Sequence, residues 1–153
     1  MGSLSARELE LCAKVSAVCA CNQLRRASRE LTRHYDAALA QSGLAATQLP
    51  ILVTLGSKGE LPITILADVL SLDRTTLTRN LKILEARGLV QIVAREDDAR
   101  VHLAALTSEG ARVLGEALER WEEVQTRIER EFDPARLRNL SRELDALREA
   151  ART

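Results

Sequence analysis

Arg74, Thr75, Thr76, Thr78, Arg79 and Lys82 crowd one short run of the chain. Arginine can donate two parallel hydrogen bonds to a guanine edge, a threonine methyl can touch thymine, and hydroxyls can reach phosphate oxygens or base edges. Gathered on one face, these residue types point to a surface that reads duplex nucleic acid. An ordinary solvated helix face would also carry arginine and lysine. It gives no reason for threonine at 75, 76 and 78, a choice that lowers helix propensity and adds nothing to a core. Further along, Arg95 and Arg100 flank the acidic stretch Glu96-Asp97-Asp98. An arginine carried on a β-arm can enter a narrow minor groove, where the negative potential is strongest. Asp98 and Arg100 stand on the same side of an extended strand, so the carboxylate can orient the guanidinium. The plain alternative is a surface ion pair that contributes little.

Other groups suit sensing rather than binding. Cys12, Cys19 and Cys21 lie close together near one end. On one continuous helix Cys19 and Cys21 point roughly 200° apart, and Cys12 and Cys19 sit about 10 Å apart along the axis. Neither pair then closes a disulfide without unwinding. An oxidant switch would run through a sulfenic acid, a small-thiol cap or a bond between subunits; the alternative is that these residues pack as small apolar groups. His34 and Tyr35, next to Arg33, are candidates to line a pocket and receive a carboxylate, against a solvated histidine and a core tyrosine. Catalysis has no such constellation. The two histidines, His34 and His102, belong to no metal-ligand spacing or nucleophile pattern, and no glycine loop cradles phosphate, so no catalytic residue, metal or cofactor is expected.

Apolar periodicity supplies the elements that must position these groups. From Leu9 to Ala40 apolar residues recur at three- and four-residue steps, which predicts one long amphipathic helix. Thr47 is placed to cap a second, with Pro50 inside its first turn, and Gly56-Ser-Lys-Gly59 ends it. Pro62 opens a short helix, Ile63 to Leu70, with Ile65, Leu66 and Val69 to be covered. After the tight link Ser71-Leu72-Asp73, Asp73 caps a longer helix whose buried stripe is Leu77, Leu81 and Leu84, and Gly88 provides the left-handed stop. Two helices joined by so short a turn form a helix-turn-helix. The period then changes to two: Val90, Ile92 and Ala94 alternate outbound, Val101, Leu103 and Ala105 on the return, giving a hairpin with a charged tip. Thr107 or Ser108 caps a long helix bearing Leu114, Leu118, Trp121, Val124, Ile128 and Phe132. Asp133-Pro134 starts the last, with Leu137, Leu140, Leu144 and Leu147 on one face.

The expected fold is therefore mainly α with a small β-hairpin wing. The parts are an N-terminal dimerisation helix (1–43), a winged helix-turn-helix (44–107) and C-terminal dimerisation helices (108–153), all in one compact domain. The end helices hold more apolar surface than one small core can cover, which predicts a second subunit. Basic and acidic residues number 22 each, so attraction to a polyanion must be local. Residues 74–95 carry five basic groups against Glu85, whereas residues from Thr107 onward carry nine against eleven acidic. No basic-then-apolar leader opens the chain, and no run approaches the roughly 18 apolar residues of a membrane span. With an odd number of cysteines, this points to a cytoplasmic protein with free thiols.

The run Leu72-Asp-Arg-Thr-Thr-Leu-Thr-Arg-Asn-Leu-Lys-Ile-Leu-Glu-Ala-Arg-Gly-Leu-Val90, followed by Asp98-Ala-Arg100 and Leu106-Thr-Ser-Glu-Gly110, resembles the MarR family of bacterial regulators over nearly the whole chain. That resemblance implies a homodimer that binds a pseudo-palindromic operator on double-stranded DNA and usually represses. It carries the recognition helix onto Arg74, Thr75, Thr76, Thr78 and Arg79, and the wing Asp-x-Arg onto Asp98 and Arg100. The tip departs from many members, which are more basic there. Release from DNA by a small aromatic or phenolic ligand, or by oxidation of a cysteine, is the implied control. A winged-helix module used only for protein contacts is the competing class, and it would not need the outward Arg and Thr set.

Overall fold

The computed structural model describes residues 3–152. In chain order it has α1 (Ala6–Val18), α2 (Ala20–Leu39), a 3-10 turn (Ala40–Ser42), α3 (Leu49–Lys58), β1 (Leu61–Pro62), α4 (Ile63–Leu70), α5 (Arg74–Ala86), β2 (Val90–Ala94), β3 (His102–Leu106), α6 (Ser108–Phe132) and α7 (Pro134–Ala150). The expected helix-turn-helix is α4 and α5, and the expected wing is β2 and β3.

The predicted long N-terminal helix is two. It breaks at Cys19, whose backbone is extended at φ −65°, ψ 108°. Val15, Ser16, Val18, Cys19, Cys21 and Asn22 all come from the weaker half of the helix-propensity ranking, so this stretch resists propagation. The Gln23 side chain then donates to the freed Ala17 carbonyl at 3.2 Å. At the next helix the start also moves: Gln48, not Thr47, precedes α3, and its side-chain oxygen accepts from the Ala45 N–H at 3.0 Å.

Further differences concern the sheet. Leu61 and Pro62 add a third strand, giving the antiparallel order β1-β3-β2. In the hairpin, Val90 faces Leu106 and Ile92 faces Ala104. Ala104 and Leu106 are therefore the inward residues of β3, one position out of step with the predicted set of Val101, Leu103 and Ala105. The two small alanines at 104 and 105 carry almost no hydrophobic contrast, which hides the phase. On α4 only Leu66 of the expected three is buried; Ile65 and Val69 are exposed.

Beneath α5 the core is leucine on leucine. Leu77, Leu81 and Leu84 are buried with Leu66 of α4, Leu39 of α2, Ile51, Leu52 and Leu55 of α3 and Ala117 of α6. Each such side chain contributes about 1.5–3 kcal/mol by leaving water, so three of them fix the face α5 presents. Gly88, at φ +69°, ends the helix: its N–H donates to Glu85 and that of Leu89 to Leu84, the paired bonds of a left-handed terminus.

Away from this core, every residue of α1 is exposed. Leu9, Leu11, Val15 and Val18 of α1, Leu24 and Leu31 of α2, Leu118 and Trp121 of α6, and Leu140 and Leu147 of α7 are apolar groups left open to solvent.

Candidate nucleic-acid interface

Asp73 starts α5 by accepting from the Thr76 N–H at 2.8 Å and the Thr76 hydroxyl at 2.7 Å. The hydroxyl bond and then the N–H bond hold the Asp73 carboxyl below its ordinary value. Because the folded-state pKa is depressed, this cap stabilises above the ordinary carboxylate range and fades as pH falls through it. Asp73→Ala should therefore melt below the unmodified protein at neutral pH, with the gap closing in acid. A gap that persists undiminished in acid would show that the charge takes no part.

With the leucine stripe turned inward, Arg74, Thr75, Thr78, Arg79 and Lys82 line one open concavity of about 410 Å³ along α5. Thr76 is set apart from them, half-buried and bonded to its cap. At the N-terminal end of α5 a second cleft, about 280 Å³, lies between helix and wing, lined by Ile63, Thr64, Arg74, Thr78, Arg100, Val101 and His102. Arg100 thus shares a wall with Arg74. No carboxylate lines either depression.

The wing tip differs from the expected pairing. Asp98 accepts from the backbone N–H of Arg100 at 3.1 Å, not from its guanidinium. The ion pair at the tip is Arg95 with Asp97, Nε to Oδ1 at 2.5 Å. Asp98 is used in the turn, where the Val101 N–H also donates to its carbonyl, and this leaves the Arg100 side chain to the cleft. Arg95 instead lines a separate depression with Glu60, Glu96 and Asp97. The structure therefore groups Arg74, Thr75, Thr78, Arg79 and Lys82, joins Arg100 to them through Arg74, and places Arg95 elsewhere.

Residues 44–102, from the turn after α2 through α3, α4, α5 and β2 to the first residue of β3, match the MarR family model. The organic hydroperoxide resistance transcriptional regulator of Bacillus subtilis is 32% identical over 99 residues, 65% of this chain and 67% of that protein. The chain belongs to the MarR family. Among solved structures, the M. tuberculosis transcriptional regulator MosR in complex with DNA is 36% identical, with a TM-score of 0.78 over 89% of this chain and all of that one. A mutant MarR from E. coli complexed with operator DNA, 19% identical, shares the fold with a TM-score of 0.78 over 87% of this chain and 96% of its own.

This MarR-family chain is thus a DNA-binding transcriptional regulator with a winged-helix fold, and its relatives are regulators rather than enzymes. Sequence patterning did not single out Thr64 and His102, which line the helix–wing cleft. Pro62 had marked the start of α4, but nothing in the sequence showed that β3 runs beside it.

The sensing candidates do not share one site. Tyr35 lines a cavity of about 250 Å³ with Leu39, Ala46, Leu49, Pro50 and Trp121. Its hydroxyl donates to Gln125 Oε1 at 2.8 Å, and Gln125 in turn donates to Glu129 at 2.9 Å. Burial, and then the Glu129 charge, raise the Tyr35 phenol above its ordinary value, so it stays a donor. His34 lies outside that cavity, exposed and against Arg127 of α6. Cys12 is exposed on α1, Cys19 is half-buried at the break and Cys21 is exposed in the first turn of α2. With Cys19 outside the helix, the rigid geometry that separated it from Cys21 no longer applies.

Proposed function

We propose that this chain acts in the cytoplasm as a homodimeric repressor. Residues 1–43 and 108–153 join the subunits, and the central winged helix of each places α5 in a major groove of a pseudo-palindromic operator. Arg74, Thr75, Thr78, Arg79 and Lys82 contact bases and phosphates, Thr76 holds the cap that orients them, and Arg100 follows the backbone toward the minor groove. Asp98 shapes the turn that carries Arg100, and Arg95 reaches phosphate only by leaving Asp97. The single observation that carries this reading is the basic, hydroxyl-rich concavity on α5, held outward by three buried leucines. Exposed apolar residues on α1, α2, α6 and α7 support the dimer.

Two readings of the signal each rest on an observation. Thiol oxidation is supported by the unwound position of Cys19, by Cys21 two residues away, and by similarity to a hydroperoxide resistance regulator. In that chemistry a thiolate takes one oxygen from a peroxide to give a sulfenic acid, with the reduced peroxide leaving as water or an alcohol. A second thiol, in this subunit or its partner, then displaces water to form a disulfide. Release by a small aromatic acid is supported by the cavity beside Tyr35 and Trp121. At about 250 Å³ it lies just under the range of about 300–1,000 Å³ usual for ligand sites, which suits a small occupant.

Selection of preferred duplexes from a random DNA pool, followed by titration with and without a peroxide, tests the proposal. The expected result is a pseudo-palindrome bound by a dimer, released by oxidant in the unmodified protein but not with Cys12, Cys19 and Cys21 all changed to serine. Release that persists in the serine variant would end the thiol reading. An enriched site indifferent to oxidant would move the signal to the Tyr35 cavity. No enriched duplex would favour a protein-interaction module.

A further inference from the structure

We infer that Arg87 is a positioning residue: by gripping the turn after α2, it sets the separation of the two recognition helices and hence the operator spacing the dimer accepts. The inference rests on the dimeric reading above. Arg87 is one of the five basic residues that give the middle of the chain its positive excess, yet it lines neither depression of the recognition surface. From the C-terminal cap of α5 its guanidinium turns the other way. Nη1 donates to the Gly43 carbonyl at 2.6 Å and Nη2 to the Ser42 carbonyl at 3.2 Å, more than forty residues back in the chain. A charged fork on two adjacent carbonyls fixes direction as well as distance, which a single neutral bond does not.

What Arg87 holds is rigid. The Ser42 hydroxyl donates to the Leu39 carbonyl at 2.7 Å, and the Ala46 N–H donates to Asp36 Oδ1 at 2.6 Å, so the turn is tied at both ends to α2 or its last residue. Gly43 stands at φ +68°, and a Cβ there would lie 2.9 Å from Arg87 Nη2. The turn has therefore kept both the left-handed backbone and the space the guanidinium occupies. Leu39 and Ala46, which bracket this turn, are also walls of the Tyr35 cavity. A displacement at either place reaches the body of α5 through Leu39, which packs with Leu77, Leu81 and Leu84, and reaches its C-terminal end through Arg87. That helix is about 20 Å long at 1.5 Å per residue, so a shift at its C-terminus swings Arg74 and Thr75 at the other end.

The test uses the full-length dimer, its selected operator, and duplexes whose half-site spacing is lengthened or shortened by one or two base pairs. Arg87→Ala should lose affinity about tenfold at the preferred spacing, within the usual range for coupled sites. Its loss at altered spacings should be smaller, so that the preference flattens. The slope of affinity against salt should not change, because no phosphate contact is removed. Arg87→Lys, with one compact donor group, should recover part of the preference. Gly43→Asn, which tolerates a left-handed backbone while pushing a Cβ at the fork, should flatten it with Arg87 intact. Equal losses at every spacing, or a salt slope reduced by about one per subunit, would overturn the inference in favour of simple destabilisation or direct phosphate contact. A spacing preference kept by Arg87→Ala would overturn it alone; an unmodified protein that selects no paired half-sites would overturn the dimeric reading with it.

Discussion

Arg79→Ala should lower affinity for the selected operator by about 10- to 100-fold per half-site, the cost of one bidentate base contact of about 1–3 kcal/mol in each subunit. Arg79 lines the concavity on α5 with Arg74, Thr75, Thr78 and Lys82. Its neighbours in sequence, Thr78 and Asn80, show why it can reach outward: Thr78 is exposed on the same wall, whereas Asn80 is buried and spends its amide on the Thr76 carbonyl at 2.9 Å. Among the described residues no ion pair engages Arg79. Removing it should leave the thermal midpoint unchanged, so a loss of binding reports contact with DNA rather than unfolding. That loss should be confined to one base pair per half-site, with weak binding to unrelated duplexes nearly intact. Lys82→Ala provides the contrast, because a phosphate contact weakens all duplexes alike and lowers the salt slope. Gel-shift titration on operator and scrambled duplexes separates the two patterns. Undiminished operator affinity in Arg79→Ala would remove that residue from the reading set.

The parts of this site legible in sequence are those that repeat or punctuate. Leu77, Leu81 and Leu84 recur at helical spacing, Asp73 and Gly88 bracket them, and together they determine which side chains of α5 face out. Side-chain types then indicate the chemistry. What sequence does not show is the destination of a single polar group. Thr76, Arg87 and Arg95 look like their neighbours in composition, yet one closes a cap, one grips a distant turn and one pairs with Asp97. Each outcome depends on a partner brought near by tertiary packing or by the path of a loop. The break at Cys19 has another origin. A run of weak helix formers lowers the cost of unwinding without marking the place, and no glycine or proline stands there to announce it. In the wing, alanines at 104 and 105 leave the alternation without contrast, so the register had to come from the pairing of Val90 with Leu106.

Gly110→Ala should destabilise the protein by about 2 kcal/mol or more, although glycine to alanine inside a helix ordinarily gains about 1 kcal/mol. Gly110 lies in the first turn of α6, and a Cβ there would stand 2.0 Å from the Leu89 carbonyl oxygen and 2.9 Å from Leu106 Cδ1. The obstacle at 2.0 Å is backbone, so no rotamer change relieves it. Three elements meet at this point. Thr107 caps α6 by accepting from the Gly110 N–H at 2.9 Å, its hydroxyl donates to the Gly88 carbonyl at 2.7 Å, and its own N–H donates to Leu89 at 3.1 Å. To admit a methyl group, α6 must move off the turn between α5 and β2 at Leu89, taking those bonds with it. In a chain of this size the expected fall in thermal midpoint is about 4–8 °C. Gly115→Ala, in the same helix with no atom within 4 Å of its Cβ, should leave the midpoint unchanged or raise it. Equal effects at the two positions would show that helix propensity, not the contact with Leu89, governs Gly110. The predicted inequality would place the junction of α5, wing and α6 among the tightest points of the fold, where a displacement at one element reaches the other two.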